Sequence, residues 1–146
     1  MEDRGKVLAV DLGEKRIGLA VSDETRTIAG SYGIMARRSR REDFERYAAI
    51  VAEEGITLVV FGFPITLDGQ EGQRARWVEG YAAELAKLLA VPVILWDERF
   101  STKQAAASLR ARGKRGKKVQ ERIDAVAAAF ILQDYLDAHP STPAAP

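Results

Sequence analysis

The sequence predicts an α/β fold: a mixed five-stranded sheet, an antiparallel meander followed by parallel strands, with helices on both faces. Three observations carry this. The chain opens with short apolar runs joined by glycine-containing turns. From residue 41 the apolar spacing becomes helical, and helical segments then alternate with short strands, the pattern of βαβ crossovers. Two of those later strands, Leu58–Phe61 and Val93–Trp96, are wholly apolar, as expected of central strands covered on both faces.

The elements follow in order. Lys6–Leu12 is a β-branched, apolar run that ends in a carboxylate and Gly13, a buried strand. Arg16–Ser22 is the second strand, joined to the first through Gly13-Glu14-Lys15 as a hairpin. Thr27–Ala36 is a third, interrupted by glycines. Across residues 41–54, Phe44, Tyr47, Ala48 and Val51 recur at i, i+3, i+4 and i+7, an amphipathic helix. Leu58–Phe61 is the fourth strand. Glu71–Leu89 repeats the helical period with Trp77, Tyr81, Leu85 and Leu88, and Val93–Trp96 is the fifth strand. Ser101–Arg112 reads as a helix with a capping box, Ser101 as N-cap and Gln104 three positions on. Glu121–Ala138 is the last helix. One domain over residues 1–138 and a disordered Pro/Ser/Ala-rich tail over residues 139–146 complete the expectation.

Composition excludes several chemistries. The 146 residues include no cysteine and a single histidine, His139, in the tail segment. A cysteine nucleophile, a thiolate metal site and a serine–histidine triad are thereby excluded or disfavoured. The N-terminus is too charged for a signal peptide, and no run approaches the length needed to span a membrane, so a cytoplasmic protein is expected. The formal charge of +1 conceals a strong segregation. Residues 110–122 carry seven basic side chains and one acid, and Arg37–Arg41 adds four arginines. The remaining body is acidic. Concentrated basic segments on an acidic body suit a polyanionic partner.

Two acids stand where an open α/β sheet places its chemistry, outside the carboxyl ends of strands, and the alanines of the last helix bring a third toward the same edge. Asp11 closes the first strand, Glu98 follows the fifth, and Asp124 lies near the start of the last helix among Ile123, Ala125, Val126 and Ala127. Each has a plainer reading. Asp11 can shape a turn, Asp97 or Glu98 can cap a helix or pair with Arg99, and Asp124 can favour a helix dipole. Their joint placement favours a site. Carboxylates with no histidine or cysteine form an oxygen-only set suited to Mg²⁺ or Mn²⁺, and two such ions can serve phosphodiester hydrolysis. The loop Gly62–Gly72, with three glycines, lies at the same edge; its backbone amides can approach phosphate, or it can be a simple turn, and it is no Walker loop. The run containing Arg110, Arg112, Lys114, Arg115, Lys117 and Lys118 is glycine-punctuated and free of aromatics, which suits gripping a phosphate backbone without reading bases.

Four segments together resemble the YqgF/RuvX family: Val10-Asp11-Leu12-Gly13 through Asp23; Gly62-Phe63-Pro64 with Asp68-Gly69; Asp97-Glu98-Arg99-Phe100-Ser101-Thr102; and Asp124-Ala125-Val126-Ala127-Ala128-Ala129. The resemblance spans about residues 6 to 137 in motif order. It implies a ribonuclease-H-like fold and a nuclease, described as a Holliday-junction resolvase and as a nuclease maturing the 5′ end of small-subunit (16S) ribosomal RNA. It also implies that Asp11, Glu98 and Asp124 bind Mg²⁺ or Mn²⁺, that branched DNA or structured RNA is the partner, and that some members form homodimers. Thr66 departs from the asparagine many members carry. Gly62 stands where the RuvC-type resolvase has a glutamate, so Glu98 would fill that place. Two other readings differ in kind. One is a non-catalytic nucleic-acid-binding factor in ribosome assembly or transcription. The other, from Asp-Leu-Gly and Gly18, is half of an actin-like ATPase, a fold that needs two such domains.

Overall fold

The computed structural model of the protein describes residues 4–63, 72–97 and 117–140, with only the backbone for residues 117–125. The described elements are β1 (Lys6–Leu12), β2 (Arg16–Ser22), β3 (Ala29–Ala36), α1 (Arg40–Glu54), β4 (Ile56–Phe63), α2 (Gly72–Leu88), β5 (Val93–Asp97) and α3 (Lys117–Ala138). The strands form one sheet ordered β3-β2-β1-β4-β5. β1 pairs antiparallel with β2, and β2 with β3; β1 pairs parallel with β4, and β4 with β5. The meander and the parallel half match the expected architecture.

Side-chain alternation along the strands divides the core into two layers. Leu8, Val10 and Leu12 of β1 join Ile17, Leu19, Val59 and Phe61 in packing against α1 and α2. Val7 and Ala9 join Ala20, Leu58 and Val60 in packing against α3 through Ala128, Leu132, Tyr135 and Leu136. Helices therefore cover both faces. Near-complete burial of both β1 faces explains its unbroken apolar run up to Asp11.

β5 departs from the central position expected of a wholly apolar strand. It is the last strand in the order, and all five residues are half-buried. Its outward cover comes from long side chains: Trp96 meets Tyr135 edge-on at 5.5 Å and donates from Nε1 to Asp134 Oδ2 at 3.0 Å. His139, expected within the tail, instead stacks on Tyr135 with centroids 4.2 Å apart, its Nδ1 lying 2.9 Å from the Tyr135 carbonyl. Residues 141–146 of that tail lie outside the described residues, as does the expected helix over 101–112.

α1 begins with an N-cap: Ser39 Oγ accepts from the Glu42 amide and donates to Glu42 Oε1 at 3.0 Å. It ends at Gly55, whose φ of +67° gives the left-handed C-cap. Its buried stripe is Asp43, Phe44, Tyr47 and Ile50, with Ala48 exposed. The expected stripe missed Asp43 because a carboxylate is not counted as core. Here Asp43 accepts from Arg38 N–H, from Arg46 at 2.6 Å and from Tyr81 at 3.1 Å. Tyr81 in turn meets the Tyr47 hydroxyl at 3.1 Å. A buried charge is tolerable when its acceptor sites are filled in this way. On α2 the buried residues are Val78, Tyr81, Ala82 and Leu85, whereas Leu88, expected in the stripe, is 69% exposed.

Candidate active site

The carboxyl ends of β1, β4 and β5 form one edge. Asp11 pairs with Gly18 of β2, and Gly18 with Ile34 of β3. On the other side Val10 pairs with Phe61, so the next position along β4 is Gly62, which pairs with Trp96 of β5. The row across the sheet therefore reads Ile34, Gly18, Asp11, Gly62, Trp96. The half-buried Asp11 stands between two glycines. Neither of these two register neighbours carries a Cβ. Alternation puts Asp11 on the face of Val7 and Ala9, the face covered by α3.

The turn after Asp11 is tightly specified. Gly13 donates its amide to the Arg16 carbonyl at 3.0 Å, and a Cβ at residue 13 would stand 2.6 Å from that same oxygen. Only glycine fits. The Leu12 carbonyl receives a hydrogen bond from Arg74 Nη2 at 2.9 Å, which ties the first turns of α2 to the end of β1.

α3 approaches the sheet through small residues. Ala128 is fully buried and Ala127 is 5% exposed, which brings the helix axis close to β1 and β2. Asp124 lies one helical turn before Ala128, on the stripe that continues to Ile131, Leu132 and Tyr135. The C-terminal part of α3 is fixed by Gln133, which accepts from the Ala29 amide and donates to the Thr27 carbonyl.

Of the three expected acids, the structure thus positions Asp11 with its side chain and Asp124 by its backbone. Glu98 lies outside the described residues. Among the described residues, no three acidic or imidazole side chains are gathered. Asp97, half-buried at the end of β5, alternates onto the opposite face from Trp96 and hence from Asp11. Lys117 and Lys118 form the first turn of α3, while Arg110, Arg112, Lys114 and Arg115 lie outside the described residues, as do residues 64–71 of the glycine loop. α3 starts at Lys117, four residues earlier than expected, because a basic first turn carries no apolar signal.

The other basic segment is engaged with its surroundings. Arg40 pairs with Glu84 at 2.9 Å and lies over the Tyr81 ring. Arg41 reaches Glu45. Arg37 stacks on Trp77 at 4.9 Å and donates to the Glu14 carbonyl at 2.9 Å. Arg37, Arg74 and Trp77 meet at a pocket beside the β1–β2 turn that sequence reasoning did not find. Its parts come from three separate elements, and Trp77 had been absorbed into a helical apolar stripe.

A mixed sheet in this order, with an aspartate closing its central strand and a helix packed over that strand, defines a ribonuclease-H-like α/β protein. T. thermophilus RuvC in complex with Holliday junction substrate shares the fold, with a TM-score of 0.57 at 17% identity over 95% of this chain and 99% of that one. Residues 5–138 match the RuvX family, described as Holliday junction resolvase, and the chain belongs to that family. A relative from Anaeromyxobacter sp. (strain K), named "Putative pre-16S rRNA nuclease", is 43% identical over 90% of this chain and 96% of its own. A relative of the same name from Chloroflexus aurantiacus (strain ATCC 29366 / DSM 635 / J-10-fl) is 39% identical over 94% of this chain and 90% of its own.

Proposed function

We propose that this protein is a metal-ion-dependent nuclease that hydrolyses phosphodiester bonds in structured nucleic acid. The observation that carries the reading is Asp11: a half-buried carboxylate at the end of the central strand, flanked by Gly18 and Gly62, on the face that α3 covers. A carboxylate held there by a rigid strand is pre-positioned, which is what ion binding requires of its ligands.

Asp11, Glu98 and Asp124 are the proposed ligands, and an all-carboxylate set fits Mg²⁺ or Mn²⁺. Bound divalent ions supply Lewis-acid stabilisation and water activation for phosphodiester hydrolysis. The chain's own contribution is placement. β1 fixes Asp11 between two glycines, and the alanine stripe of α3 carries Asp124 toward the sheet. Arg110, Arg112, Lys114, Arg115, Lys117 and Lys118 are the proposed grip on the phosphate backbone, a role that needs charge and no base recognition. The names of its relatives point to two substrates, the precursor of 16S ribosomal RNA and the four-way DNA junction. Either would be met in the cytoplasm, and no helix among the described residues is long and apolar enough to cross a membrane.

A cleavage panel tests the reading. Four-way DNA junctions, DNA duplexes and structured precursor RNA are incubated with the protein and Mg²⁺ or Mn²⁺. Cleavage of a junction or precursor that EDTA abolishes supports it. Binding with no metal-dependent cleavage of any substrate replaces it with a non-catalytic binding factor.

A further inference from the structure

We infer that the pocket between the β1–β2 turn and the start of α2 is a subsite for a backbone phosphate of the nucleic acid, flanking the bond that is cut. The inference rests on the nuclease reading and extends it to the opposite face of the same sheet edge. The pocket encloses about 360 Å³ and is lined by Glu14, Arg37, Gln73, Arg74 and Trp77. It adjoins the site through the backbone: Arg74 holds the carbonyl of Leu12, the residue after Asp11.

Two cations face this space in fixed positions. Arg37 is held by its stack on Trp77 and by its bond to the Glu14 carbonyl. Its Nε is buried with no hydrogen-bond partner. Arg74 is held by Leu12. Other arginines nearby are matched to carboxylates: Arg40 to Glu84, Arg41 to Glu45 and Arg46 to Asp43. Among the described residues, neither Arg37 nor Arg74 has a carboxylate at ion-pair distance. Among the described residues these two guanidiniums are anchored through neutral carbonyls and an indole, and no carboxylate there neutralises them. Their planar forks suit phosphate oxygens. Gln73 adds an uncharged donor. Among the described residues Glu14 is the one acid in the lining, so their summed charge is positive and the Glu14 carboxylate opposes an anion there.

The test is fluorescence anisotropy on the full chain in EDTA, where no cutting occurs. The probes are a labelled four-way DNA junction and a labelled RNA hairpin with a 5′ single-stranded extension. Arg37→Gln and Arg74→Gln are each expected to weaken binding of the preferred probe about three- to tenfold, and to lower the slope of log affinity against log salt by about one. Arg74→Lys and Arg37→Lys, which keep the charge, should retain the wild-type slope, and Glu14→Gln should tighten binding. Wild-type affinity and slope in both glutamine variants overturn the subsite while leaving the nuclease reading intact. A weaker affinity with an unchanged salt slope marks a structural role and also overturns it. Failure of the wild-type protein to bind either probe overturns the subsite, while the nuclease reading stands or falls on the metal-dependent cleavage panel.

Discussion

Replacing Asp43 with alanine removes a fully buried carboxylate that three donors share: the Arg38 amide, the Arg46 guanidinium and the Tyr81 hydroxyl. None of the three gains a new partner within the core. Tyr81 is fully buried and keeps only its contact with Tyr47, itself buried. Breaking a buried charge pair by deleting one member costs about 3–5 kcal/mol. The Arg46 side chain is 29% exposed and Arg38 is exposed, so water recovers part of that loss. The expected destabilisation is therefore at the lower bound, about 3 kcal/mol, a large share of the 5–15 kcal/mol typical of a domain. Asp43→Asn, which keeps the shape and loses the charge, should cost less than alanine. Urea unfolding followed by circular dichroism measures both. A loss below about 1 kcal/mol for Asp43→Ala, the range of exposed ion pairs, would refute the view that this cluster joins α1 to α2.

Further outcomes follow from the same packing. Burial, and then the neighbouring hydroxyl and Asp43, hold the Tyr47 phenol in its neutral form well above the usual tyrosine range; burial acts likewise on Tyr81. Because both folded values are raised, their contribution is complete below about pH 10 and is lost as pH rises beyond it, at up to about 1.4 kcal/mol per pH unit for each group. The urea midpoint should fall more steeply above pH 10 in the wild type than in the Tyr47→Phe, Tyr81→Phe double variant. Gly13→Ala forces a Cβ to within 2.6 Å of the Arg16 carbonyl, so it should cost about 1–3 kcal/mol in urea unfolding. Ala128→Leu overfills the fully buried contact of α3 with the sheet. It should cost about 1–3 kcal/mol and lower metal-dependent cleavage beyond what the stability loss explains, because Asp124, the proposed ligand, lies on the preceding turn.

The sequence was most legible where one physical effect dominated. β1 and β2 have the expected bounds because both are almost fully buried and end at glycine or polar turns. Asp11 stood out because a carboxylate interrupts an otherwise apolar strand. Tertiary information was harder to see. An apolar run does not reveal that β5 lies at the end of the sheet, where Trp96 is covered by Tyr135 and Asp134 rather than by two neighbouring strands. Hydrophobic spacing chose Ala48 for the α1 core, where the structure buries Ile50 and Asp43. The Asp43 charge is compensated by Arg46 and by Tyr81, which lies 38 positions away in the chain. The arginine pocket was invisible for the same reason: Glu14, Arg37 and Arg74 belong to three segments that meet only when the sheet closes.

The central claim is that Asp11 is a ligand for the ions that cut a phosphodiester. The most direct measurement is the rate of Mg²⁺- or Mn²⁺-dependent cleavage by Asp11→Asn, on the junction or precursor RNA that the wild-type protein cuts. Anisotropy binding in EDTA and urea unfolding are run on the same preparation. The account predicts cleavage reduced to the level of the no-protein control, with nucleic-acid affinity and unfolding midpoint close to wild type. Cleavage at the wild-type rate by a folded Asp11→Asn protein would contradict it.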